Sequence, residues 1–109
     1  MTGEPPPPDT DTMRAVARRV LEAGGATGGD EGAVLLLALR GMFAVLVPAV
    51  EDAALTRHKR DPVRFWAEVG AREARRLLAE EPGAVPPAQH AQRLARGLLG
   101  LVDDFAALS

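Results

Sequence analysis

Two ionisable side chains stand where helical spacing makes them costly. Arg40 is the only charge in the first part of the apolar run AVLLLALRGMFAVLVPAV. With successive helical residues about 100° apart, Glu73 shares a face with Trp66, Val69, Gly70 and Leu77. An ionised carboxylate on an apolar face needs a partner. Arg40 is the first candidate and Arg93 the second. Such a polar centre offers two kinds of chemistry, recognition of a small polar molecule or transfer of a proton. The plainer alternative is an ion pair that fixes helix register in an aliphatic bundle. Gly41, Gly70 and Gly97 sit inside helical stretches and cost about 1 kcal/mol each relative to Ala. Close backbone approach offsets that cost, or a cavity beside Arg40 and Glu73 does. With His90 at the apolar edge of the last helix, the candidate ligand-binding set is Arg40, Trp66, Gly70, Glu73, His90 and Arg93.

Other chemistry is poorly supplied, and no catalytic residue is assigned. The chain has no cysteine, Ser109 is its only serine, at the last position, and Lys59 is its only lysine. Neither His58 nor His90 has a second ligand at i+4, so no metal is expected. No glycine-rich loop follows a strand, so no nucleotide cofactor is expected either. The adjacent Asp103 and Asp104 point about 100° apart on a helix and suit solvent better than a shared cation.

RHKRDPVRFW, residues 57 to 66, raises the question of nucleic acid. Residues 57 to 76 hold seven basic side chains against three acidic ones, yet the whole chain carries −2 and a sequence pI of about 5.6. A dedicated nucleic-acid domain sits above 9. Arg72, Arg75 and Arg76 fall at i,i+3 and i,i+4 spacing from Glu68, Glu80 and one another, as on a solvated face. Phe65 and Trp66 read as core and rim plates. The string is basic because the end of one helix, where cations are favoured, meets the capped start of the next at Asp61-Pro62.

The elements that position these residues are helices throughout. Aromatic residues are 4% of the chain and Tyr is absent, so the core is aliphatic. Pro5 to Pro8 make residues 1–10 an extended, disordered tail, and 11–109 form one domain. The first helix starts at Thr10 or Asp11 and stops at Gly24-Gly25. The second runs from about Glu31 to Arg57, capped by Asp30 and bent at Pro48. It is apolar almost all round, which predicts a buried central helix rather than a membrane span broken by Arg40, Gly41 and Pro48. The third starts at Pro62 and reaches about Glu81. The fourth opens at Pro86-Pro87, with Ala91, Leu94, Leu98, Leu101, Phe105 and Leu108 alternating by three and four. Short connections favour antiparallel neighbours, so the fold class is all-α, an antiparallel four-helix up-and-down bundle. The opening residues lack a basic leader and an apolar run, which makes a cytoplasmic protein the expectation.

Three motifs carry a resemblance: Leu39-Arg40-Gly41 with Val47-Pro48, Gly70 with Glu73-Ala74-Arg75-Arg76, and Ala91 with Arg93-Leu94-Ala95-Arg96. Across roughly residues 35 to 105 the chain resembles a family of small actinobacterial domains of unknown function, sometimes labelled natural-product biosynthesis proteins. In that pattern His stands at the position of Met42, Glu at Ala49, and a Cys, His and Tyr cluster where this chain has Val102 to Phe105, so chemistry resting on those groups does not carry over. The resemblance implies a source and a gene neighbourhood, without a mechanism.

The leading expectation is a non-catalytic helical accessory protein that binds a protein partner or itself, associated with natural-product biosynthesis. The alternative is a bundle that binds or transforms a specialised metabolite around Arg40, Glu73 and His90. A DNA-associated regulator using Arg57 to Arg76 is the third reading. No membrane partner is expected.

Overall fold

Apolar residues recurring every three or four positions build helices here. The computed structural model describes residues 8–23, 29–80 and 86–109, and among them there are four helices and no strand: α1 Thr10–Ala23, α2 Gly29–Leu55, α3 Pro62–Ala79 and α4 Pro87–Leu108. The expected tail through residue 7, the stop at Gly24-Gly25 and the break at Pro82-Gly83 lie outside the described residues.

The starts and stops follow side-chain chemistry. Asp9, rather than Thr10 or Asp11, caps α1: its carboxylate accepts from the Thr12 N–H at 3.1 Å and the Thr12 hydroxyl at 2.7 Å. α2 begins at Gly29, ahead of the expected Asp30 cap, and ends at Leu55, two residues short of Arg57. There Thr56 turns back, donating from both its hydroxyl (2.6 Å) and its N–H (3.2 Å) to the Ala53 carbonyl. α3 starts as expected, with Pro62 at the first helical position and the Asp61 carboxylate accepting from the Val63 N–H at 2.8 Å. α2 remains helical through Pro48. Pro48 and Ala44 are both exposed, so the carbonyl freed by the missing donor faces water.

Directions alternate. Arg93 near the start of α4 meets Glu80 at the end of α3, while Asp104 near the end of α4 lies over Gly70 in α3. Arg40 in α2 reaches Leu78 late in α3, and Arg57 just past α2 is bound by Arg64 early in α3. Arg14 of α1 pairs with Asp103 of α4. The bundle is therefore up-and-down, but it is not square. α4 packs against all three other helices, α2 packs heavily on both α3 and α4, and α1 leans on α4 while touching α2 only lightly.

This arrangement corrects one expectation. α4, not α2, is the central helix, with Leu94, Ala95, Leu98, Leu101 and Val102 buried along it. α2 buries one face only, Leu39, Phe43, Leu46, Val47, Val50 and Ala54. α3 approaches the core through a stripe of small residues, Ala67, Ala71 and Ala74, ending in Leu77. No charged or polar residue is buried among the described residues.

Candidate functional site

The expected Arg40–Glu73 centre does not form. Arg40 is half-buried and donates from its guanidinium to the backbone carbonyl of Leu78 at 3.0 Å. That bond ties α2 to the last turn of α3 and supplies a positive charge where carbonyls accumulate. Glu73 is exposed and takes Arg76, three residues on, as its bidentate partner. The Arg76 hydrogen bonds hold its carboxyl below the usual range. Arg93 goes to Glu80 instead, in a bidentate pair at 3.0 and 2.7 Å that closes the junction of α3 and α4. The sequence reading correctly places Trp66 and Glu73 on one side of α3. It takes the wrong side as buried, because Trp66 is the largest apolar residue there. The buried face is the alanine stripe, centred roughly one helical step, about 100°, further round, and Trp66 is left 62% exposed.

Phe65 and Trp66 form an edge-on pair, ring centroids 5.1 Å apart, on the surface rather than in the core. His90 is half-buried near the start of α4, four residues after Pro86, whose carbonyl accepts its N–H at 3.0 Å. Of the six candidate residues, the structure brings Arg40, Gly70 and Arg93 into contacts that hold helices together, and it places Trp66 and Glu73 on the surface.

The mid-helix glycines separate into two kinds. A Cβ on Gly70 would meet the Asp104 carboxylate, and one on Gly97 would lie 3.1 Å from Leu77 and 3.4 Å from Phe43. Both positions are filled by neighbours, so they serve close approach rather than clearing a cavity. Gly41 has nothing within 4 Å and looks outward. Asp104, half-buried over Gly70, has its carboxyl raised by burial first and by the neighbouring Asp103 second. A raised acid marks a functional candidate, but His90 is fourteen residues away on the same helix, about 21 Å along the axis. No acid–base pair results. Asp103 points elsewhere, to Arg14 at 3.4 Å, as the 100° separation predicts. Among the described residues no group of three or more His, Cys, Asp or Glu is placed to hold a metal ion.

The basic string is the corner the sequence suggests. The Arg57 Nε donates to Asp61 at 2.8 Å, and Arg64 donates to the Arg57 carbonyl at 3.0 Å. Asp61 N–H donates to the His58 carbonyl at 2.9 Å, and Arg60 N–H to His58 Nδ1 at 3.1 Å. The Val63 N–H, then Arg57, hold the Asp61 carboxyl below its usual range. Arg75 is likewise engaged, by Glu51 of α2, so much of the positive stretch is spent on internal ties. Glu51 and Arg75, with Leu55, Glu68 and Arg72, line an open groove of about 370 Å³ between α2 and α3 that contains none of the six candidates.

What the sequence reading misses is the outer face of α2. Val34, Leu37, Val45 and Leu55 are 66, 73, 55 and 65% exposed, and Gly41, Ala44 and Pro48 lie in the same stripe, which the exposed Asp52 interrupts toward its C-terminal end. At about 100° per residue Gly41 and Pro48 run down its midline, with Leu37, Ala44 and Leu55 on one side and Val34 and Val45 on the other. The result is a shallow apolar trough between two low ridges. The signal was present in the sequence, since a helix apolar all round has more apolar surface than three short partners can cover. Glu31–Leu55 also has the length of a membrane-crossing helix, with a mean hydropathy of 2.3 over its most apolar 18 residues, although one side of it is committed to the bundle core.

No curated protein and no solved structure matches the chain. One family pattern does, over residues 11–109, which takes in all four helices except the first residue of α1. By that match the chain belongs to the Family of unknown function (DUF6415).

Proposed function

We propose that the protein is a non-catalytic helical interaction protein whose docking surface is the outer face of α2. The observation that carries this reading is the stripe of Val34, Leu37, Val45 and Leu55, each more than half exposed on one helix. Soluble domains rarely leave a contiguous apolar patch beyond a few hundred Å² unless something binds there. Seven ion pairs commit about half of the described bundle's charged groups to internal ties. A cytoplasmic setting in actinobacterial natural-product biosynthesis belongs to the same proposal and is supported only by the three motifs of the sequence resemblance.

An apolar dye tests the surface. In dilute protein, 8-anilinonaphthalene-1-sulfonate is expected to bind the native wild-type fold, and Leu37→Glu to cut its fluorescence by about half or more without lowering the melting temperature. Leu37 is 73% exposed, so its loss removes little from the core. Equal dye binding by the two proteins, or none by either, would overturn the reading.

A further inference from the structure

We infer that the corner between α2 and α3, together with the outward side of α3, is a second interaction surface, and that it takes a short acidic segment of a partner protein carrying an apolar side chain beside its acids. It is separate from the outer stripe of α2 and does not depend on it.

The charge of this surface is what remains after the internal ties are made. Between residues 57 and 76 the acids Asp61, Glu68 and Glu73 are each held in an ion pair, by Arg57, Arg64 and Arg76. Arg75 is held by Glu51. Lys59, Arg60 and Arg72 are left exposed, with no ion pair among the described residues. His58 adds nothing to that count, since its Nδ1 accepts from the Arg60 N–H at 3.1 Å. The stretch therefore presents three uncompensated cations.

Those cations flank the exposed Phe65–Trp66 pair. Phe65 and Arg72 are seven residues apart on α3, so they point within about 20° of each other and lie about 10 Å apart along the axis. Arg60 comes two residues before Pro62, and the chain alone keeps its Cα within about 13 Å of that of Phe65. Cation, aromatic pair and cation thus follow one another from the corner along the helix. Arg72 also lines the open groove between α2 and α3 with the exposed Leu55, so an acid and a neighbouring apolar group find partners there together. Exposed aromatics beside unpaired basic groups are the composition of a recognition surface for an anionic partner.

The charge balance selects the kind of anion. With +3 here and −2 overall, the rest of the chain carries −5. A bilayer or a long nucleic acid extends past the patch and meets that excess of acid, whereas a short acidic segment stays within it.

Trp66 is the only tryptophan and tyrosine is absent, so intrinsic emission reports this surface directly. The full chain is titrated to about 1 mM with a tryptophan-free helical peptide of Glu, Ala and Leu. A saturable blue shift is expected as the indole leaves water. The triple variant Lys59→Glu/Arg60→Glu/Arg72→Glu is expected to raise the dissociation constant for that peptide at least about tenfold. The same variant is expected to bind the peptide with Lys in place of Glu more tightly than wild type does, a reversal that loss of folding cannot produce. Leu37→Glu, on the outer stripe of α2, is expected to leave the titration unchanged. No shift up to the highest concentration, equal affinity of wild type for the Glu and Lys peptides, or indifference to the triple reversal overturns the inference. So does loss of binding in Leu37→Glu, which moves the contact to α2. A stronger response to oligothymidylate or to phosphatidylglycerol vesicles than to the Glu peptide also overturns it, and assigns the surface to nucleic acid or to lipid. Each of these failures leaves the dye result on α2 standing.

Discussion

Phe43→Ala is expected to lower the free energy of unfolding by about 3–5 kcal/mol, read from urea denaturation at an unchanged m-value. Phe43 is fully buried and is the largest such side chain among the described residues. It projects from the inner face of α2 against Gly97 of α4, 3.4 Å from where a Cβ would stand there. Leu77 of α3 lies against the same glycine, so Phe43 sits where three helices meet. The cost depends on how far Leu77 and the neighbouring helices relax into the void. For a domain of this size, whose total stability is of order 5–15 kcal/mol, that is a large share. A loss below about 1 kcal/mol would mean that the ring is not enclosed.

Gly97→Val is the complementary experiment, expected to cost about 1–3 kcal/mol by overpacking. Its Cβ alone would stand 3.1 Å from Leu77 and 3.4 Å from Phe43, and the branched methyls have to enter the same junction. The helix scale by itself favours Val over Gly, so destabilisation can arise only from the tertiary contact. The two changes are also coupled. In the double variant Phe43→Ala/Gly97→Val, the valine methyls enter space the ring has vacated, and the combined loss is expected to fall short of the sum by at least about 0.5–1 kcal/mol. Strict additivity in the denaturation data would place residues 43 and 97 apart and contradict the packing.

Four helices, the cap at Asp61, the start at Pro62 and the corner at RHKRDP were legible because each depends on residues close in sequence. α4 was the clearest, since its apolar positions lie on one stripe that points to one answer. α2 was misread for the same reason in reverse. With apolar residues on every side its periodicity carries no direction, and only the positions of the other helices show that Leu39 and Phe43 face in while Val34 and Leu37 face out. α3 failed differently. Its inner face is built from Ala67, Ala71 and Ala74, residues too small to stand out against Trp66, so the spacing alone puts Glu73 toward a core it does not enter. Local pairing then won: Arg76 reaches Glu73 within one turn, whereas Arg40 finds the Leu78 carbonyl. The Arg93–Glu80 pair joins two helices across a connection, and spacing along a single helix does not reveal it. Gly41 is anomalous in the sequence as a mid-helix glycine, but only the neighbouring helices show that its free side looks outward rather than into a cavity.

The central claim is that α2 turns an apolar face to solvent while its other face is sealed. Because the chain contains no cysteine, Leu37→Cys and Val50→Cys each introduce a single thiol, on the outer and inner face respectively. In low-micromolar protein under native conditions, the thiol at position 37 is expected to react with a maleimide or aromatic disulfide at nearly the rate of the unfolded chain. The thiol at position 50, on a residue with no exposed surface, is expected to react at least about 100-fold more slowly, limited by opening of the fold. Equal protection at both positions in dilute solution would show that α2 is enclosed on all sides and contradict the account.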